Sequence, residues 1–309
     1  MQTSQTYTVR MVCRTWRSLA VSLIVAATVP LVAGCDASDS RPAATPAVSS
    51  DPEPIAMEVN QSRDQYGKQA ILLQLTNTTD APLRVSGARL ESGMFEGDIV
   101  WTPADGALEL PPRQPKSVPT ELPTAKCGHT TEAPLRATIL YGEQATEARE
   151  ASVEAGDPYN VLQRNADELC LAAEAAAVAS IVLDPGLEVA PDGSTAVVRL
   201  LITPMAGSIG PQSLTIESID GTTLLAELPT DPWPRNVTIS AGSDARILPM
   251  TIRPARCDPH AVAEDKVGTL LPLRVVVGDR KGRLGIAASN ELRARIYDFV
   301  TAACVGERN

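Results

Sequence analysis

The chain has 309 residues, 44% of them hydrophobic but only 3% aromatic, and a formal net charge of −10. That length is enough for one large or two ordinary domains with cores of their own. The acidic balance argues against nucleic acid or anionic phospholipid as partners, and with two histidines in the chain His-based acid–base chemistry has few candidates.

Residues 1–34 read as an export signal. Arg10, Arg14 and Arg17 form its positive end, and the apolar run 18–33 that follows holds no acidic residue. The run is 16 residues, short of the ~20 a membrane-spanning helix needs. Starting translation at Met11 would give a more usual short positive region. The run closes on "LVAGC", small residues directly before a cysteine. Val32, Ala33, Gly34 and Cys35 resemble the lipobox of bacterial lipoproteins at all four positions. The resemblance implies cleavage before Cys35, a lipid on Cys35, and a chain held to the extracytoplasmic face of the cell membrane. An uncleaved anchor helix or a plain secretory signal are the alternatives. Losing residues 1–34 removes three arginines and no acid, leaving 24 basic against 37 acidic side chains, or −13.

Residues 35–54 then form a tether: Pro, Ala, Ser and Asp without a large apolar side chain cannot offset the entropy of ordering.

An internal repeat organises the rest. "AILLQLTNTTDAPLRVSGARLES" (70–92) aligns without a gap on "AVVRLLITPMAGSIGPQSLTIES" (196–218). "AKC" (125–127) matches "ARC" (255–257), "PLRATILYG" (134–142) matches "PLRVVVG" (272–278), and Cys170 and Cys304 close the two copies. Leu135, Ala137 and Ile139 alternate, as do Leu248, Met250 and Ile252, and Leu273, Val275 and Val277, which is the period of strands with one buried face. Clusters such as "TNTTDAP", "PADG" and "SAGSD" mark turns. The expected fold is mainly β: two tandem immunoglobulin-like β-sandwich domains, 55–178 and 179–309, each ending in a short disulfide-tethered helix. A barrel fits the same pattern. Leu162, Ala166 and Leu169 share one helical face, as do Ile296, Val300 and Ala303, with Ser289 placed to cap the second helix. The alanine run 172–180 extends the first helix toward the second domain.

Four cysteines allow three pairings. The duplication singles out Cys127 with Cys170 and Cys257 with Cys304, each in matching places, and an exported chain meets an oxidising compartment where such bridges persist.

No G-x-S-x-G, H-E-x-x-H, P-loop or C-x-x-C motif occurs. No catalytic residue, cofactor or metal site is therefore assigned. His129 in "CGH" and His260 in "CDPH" each follow the first cysteine of a copy, but oxidised sulfur cannot ligate, and one imidazole does not hold zinc. In the second copy "PLR" follows the cysteine by 15 residues, against 7 in the first. Asp258 as N-cap, Pro259 at the first helical position and Gly268 as stop predict a short inserted helix, with His260 and Glu264 on one face. Those two with Asp258 or Asp265 form a candidate cation or recognition site; a solvated face with local ion pairs is the plainer reading. Trp101 and Trp233 are candidate partner anchors or buried end caps. The functional expectation is a non-catalytic, lipid-anchored binding or scaffold module for another envelope protein. A metal- or solute-binding lipoprotein and an unrecognised extracytoplasmic hydrolase are its rivals.

Overall fold

The computed structural model describes residues 53–128, 134–143, 148–206, 210–258, 262–263 and 265–306. The signal, Cys35, most of the tether, Pro259, both histidines and Glu264 lie outside them.

The first half contains β1 (Ile55–Asn60), β2 (Ala70–Asn77), β3 (Leu83–Glu91), β4 (Ile99–Trp101), β5 (Leu108–Leu110), β6 (Pro115–Glu121), β7 (Arg136–Gly142) and β8 (Arg149–Glu154). One sheet runs β1-β2-β6 and the other β4-β3-β7-β8, with β5 also on β3. All their pairings are antiparallel. Alternation decides which residues meet: Ile55, Met57 and Val59 of β1 are buried, as are Ile71, Leu73 and Leu75 of β2 and Ala137 and Ile139 of β7. Together they fill one core, each large side chain contributing about 1.5–3 kcal/mol of burial.

Helix α1 (Val161–Val178) follows, capped by Asp157, whose carboxylate accepts the Val161 and Leu162 N–H groups at 2.7 and 2.9 Å. The second half repeats the plan with β9 (Ala179–Leu183), β10 (Glu188–Val189), β11 (Ala196–Pro204), β12 (Ser213–Ile219), β13 (Leu225–Glu227), β14 (Val237–Ser240), β15 (Arg246–Pro254), β16 (Leu270–Val277), β17 (Arg280–Ala287) and α2 (Asn290–Gly306). Its sheets run β10-β11-β15-β13, with β9 on β11, and β14-β12-β16-β17. Both halves are immunoglobulin-like sandwiches, two antiparallel sheets over an apolar core. Ser289 caps α2, its hydroxyl accepting the Leu292 N–H at 3.2 Å. The disulfides are Cys127–Cys170 and Cys257–Cys304, each tying a terminal helix to a strand-end loop of its own half.

The halves match in topology, yet the gapless alignment of 70–92 on 196–218 is not the structural one. In β2 the odd-numbered Ile71, Leu73 and Leu75 face the core, whereas in β11 the even-numbered Ala196, Val198, Leu200 and Ile202 do. An even offset places buried residues on the partly exposed Val197, Arg199 and Leu201, and a one-residue slip reverses every side chain. A shared β-bulge gives a firmer equivalence: β3 shifts register between Val85 and Gly87 against β7, and β12 between Ile216 and Ser218 against β16. On that count the two "PLR" strings are not equivalent either. Pro134 and Leu135 precede β7, while Pro272 and Leu273 lie inside β16.

Helix α1 belongs to both cores. Val161, Leu162 and Ala166 pack in the first and Leu171, Ala175 and Val178 in the second. Gly282 of β17 allows this approach, since a Cβ there would lie 2.8 Å from Leu171 Cδ2. Among the described residues no helix is long and apolar enough to cross a membrane.

Candidate functional site

The segment that most distinguishes the second half is 258–269, longer than its counterpart 128–135. Val262 and Ala263 are helical, with the Val262 N–H bonded to the Asp258 carbonyl at 3.2 Å. Gly268 is not the helix stop expected of it, because Asp265 intervenes and its carboxylate accepts the Gly268 N–H at 2.9 Å. The same carboxylate takes the Thr223 hydroxyl at 2.5 Å and the Tyr297 hydroxyl at 2.8 Å. Asp265 thus ties together the β12–β13 loop, its own loop and α2. Both of its oxygens are committed to internal donors, so it is a structural residue rather than the cation ligand proposed from sequence. Burial and the Asp265 bond raise the pKa of the Tyr297 phenol above its ordinary value. Among the described residues no cluster of three or more His, Cys, Asp or Glu side chains could hold a metal.

One residue on, Lys266 Nζ lies 3.7 Å from Asp64 Oδ1 in the β1–β2 connection of the first sandwich. That connection, 61–69, is the other side of the junction. Gly67, at φ +74°, passes so close to Leu270 that a Cβ would lie 3.2 Å from its Cδ1. Gln61 accepts from Arg164 Nη2 at 2.7 Å and exchanges amide contacts with Asn165 at 3.0 and 3.3 Å. Arg164 also sits over the Tyr66 ring, 5.9 Å from its centroid. Farther along α1, Glu174 holds Arg280 at 2.7 Å, with both side chains largely shielded. Asp64 with Lys266 and Gly67 with Leu270 join residues some 200 positions apart, and Glu174 with Arg280 residues 106 apart; together they fix how the two sandwiches meet.

Beside the first disulfide the junction leaves a crevice of about 200 Å³, lined by Met94, Lys126, Gly128, Gln163, Ala166, Asp167, Cys170 and Arg280. On its polar rim Asp167 accepts from Gln163 at 3.0 Å and Arg280 is held by Glu174. A second void, inside the second core, is about 10 Å³ and apolar, the size of one water. Trp233 lines it, only 3% exposed, with its indole N–H donated to the Thr251 carbonyl at 2.7 Å. Trp101 is likewise buried. Neither indole offers a partner a face, so both are core residues and not interface anchors.

No protein-family model matches the chain, and no curated protein matches it. Solved structures with similar arrangements include the YadV chaperone, 13% identical over 75% of this chain and 97% of that one, with a TM-score of 0.22. The Escherichia coli chaperone DraB (10% identity, 77% and 97% coverage, TM-score 0.19) and the Pseudomonas aeruginosa chaperone CupB2 (9%, 72% and 93%, TM-score 0.18) are others. At these scores the likeness carries no argument about function, and the sandwich assignment rests on the sheets described above.

Proposed function

We propose that this chain is a lipid-anchored cell-envelope protein, held through Cys35 to the extracytoplasmic face of the membrane, whose paired sandwiches form a non-catalytic binding or scaffold module. The partner in this reading is another envelope protein. The observation that carries it is the use made of the copy-specific segment: Asp265 and Lys266 spend their charges bracing the second sandwich and joining it to the first. A shared helix, a half-buried ion pair and a brace that hold two β modules at one spacing suit a protein that presents surfaces at fixed separation. The lipobox supplies the address and the tether the reach.

Crosslinking in intact envelopes followed by affinity purification tests the reading. Specific envelope partners, recovered with wild-type chain and lost when surface positions are altered, support it. A hydrolase instead requires turnover that disappears in His129→Ala or His260→Ala, and a metal carrier requires bound metal after purification without chelators that His260→Ala loses.

A further inference from the structure

The two sandwiches share a plan but not an outer face. In the first, the outward positions of β1, β2 and β6 form the cross-strand rows Ala56–Thr76–Pro115, Glu58–Gln74–Ser117 and Asn60–Leu72–Pro119. These rows are mixed, with a polar centre. In the second, the corresponding sheet places Val182, Leu201 and Ile247 side by side across β9, β11 and β15. Val182 is 50% and Ile247 61% exposed. Leu201 between them is partly exposed, and in the next rows Pro249 lies opposite Arg199 and Val197 between Glu188 and Thr251. An exposed apolar row spanning three strands is not what a solvated sheet face needs, and contiguous patches of this kind mark interaction sites.

We propose that this face is a self-association surface that docks on the same face of a second copy. Charge permits it. The chain is strongly acidic, which keeps like surfaces apart, yet beside the apolar row Arg199 is neutralised within the face by Glu188. Two such faces therefore meet without the repulsion the rest of the surface would impose. Area sets the strength. β11 and β15 have nine residues each and β9 five, so at ~3.3 Å per residue and ~4.8 Å between strands the face is roughly 360 Å² and a pair buries on the order of 700 Å². A stable complex buries roughly 1,200–2,000 Å², so this contact is weak in free solution. Confinement compensates, because copies sharing a surface see one another at effective concentrations up to about millimolar.

The confinement rests on the anchoring proposed above; the apolar face does not.

The test is sedimentation equilibrium of the full chain in density-matched detergent, with its N-terminus read by mass spectrometry on the same sample. The expected result is a monomer–dimer equilibrium with Kd on the order of 100 μM. Ile247→Asp, and independently Val182→Asp, should weaken it at least about tenfold by placing like charges in contact. Ser117→Asp, on the outer face of the first sandwich, should leave it unchanged. Circular dichroism checks that each variant folds. A chain that stays monomeric up to about 1 mM, or a dimer indifferent to both substitutions, overturns the proposal. So does a photocrosslinker at position 247 that captures in membranes a protein other than this chain. A dimer formed by chains whose Cys35 is unmodified would sink the anchor and leave the face standing.

Discussion

Lys266 Nζ lies 3.7 Å from Asp64 Oδ1, so the segment peculiar to the second sandwich reaches back to the first. Both side chains are substantially exposed, and the pair is expected to matter for geometry more than for energy. Lys266→Ala should cost under about 1 kcal/mol in a urea melt. It should nonetheless raise hydrogen exchange in 61–69 and 265–270. Unchanged exchange in both segments would show that the pair braces nothing.

Its neighbour Asp265 carries more. Replacing it with Ala leaves the Thr223 hydroxyl and the Gly268 N–H without their carboxylate acceptor and the Tyr297 hydroxyl with only the backbone carbonyl of residue 265, at 3.3 Å. A loss of about 2–4 kcal/mol is expected from these charge-assisted bonds. Asp265→Asn should retain part of it, measured by denaturation with an unchanged m-value.

Tyr297 gives a pH signature. Burial and the bond to Asp265 raise its pKa above the ordinary 10.0, so above pH 10 the folded chain keeps a proton that the unfolded chain has lost. Its contribution is complete below that pH and declines as pH rises through the folded value. Tyr297→Phe should therefore be less stable at neutral pH, by about 1 kcal/mol, and flatter in its alkaline limb. Parallel alkaline limbs would contradict this.

The close approach of α1 to the second sandwich is tested at Gly282. A Cβ there falls 2.8 Å from Leu171 Cδ2, so Gly282→Ala should destabilise by about 1–3 kcal/mol. Leu171→Ala in the same background should cost less than it does alone, which a double-mutant cycle reads directly.

Removing Cys127–Cys170 as a pair of serines reopens a loop with a sequence separation of 43. On the chain-entropy model this costs about 4 kcal/mol. The effect should be compared with the Cys257–Cys304 pair, separation 47, for which the same model gives a nearly equal value.

Much of the fold could be read from residue types because the signals were local or duplicated. The cysteine pairs followed from their equal places in two copies, Ser289 from cap chemistry, and β15 and β16 from the alternation of Met250 with Ile252 and of Leu273 with Val275. The register of β11 did not follow, for a reason that bears on function. Val197 and Leu201 are apolar yet outward, so "AVVRLLIT" shows no clean alternation and aligned on β2 one residue out of phase. The residues that hid the register are those that make the exposed apolar face. The junction was invisible for a different reason: Asp64 with Lys266, and Gly67 with Leu270, are partners without any sequence-local signal. Of the two readings of Trp101 and Trp233, partner anchors or buried end caps, their burial in the sandwiches supports the second.

The claim that this is a membrane-held module rests first on Cys35. Mass spectrometry of the N-terminal peptide of the chain extracted from the membranes of its producing cell tests it most directly. The expected result is a mature chain that begins at Cys35 with a thioether-linked diacylglycerol on its sulfur. A chain that begins elsewhere, or carries Cys35 with a free thiol, would contradict it.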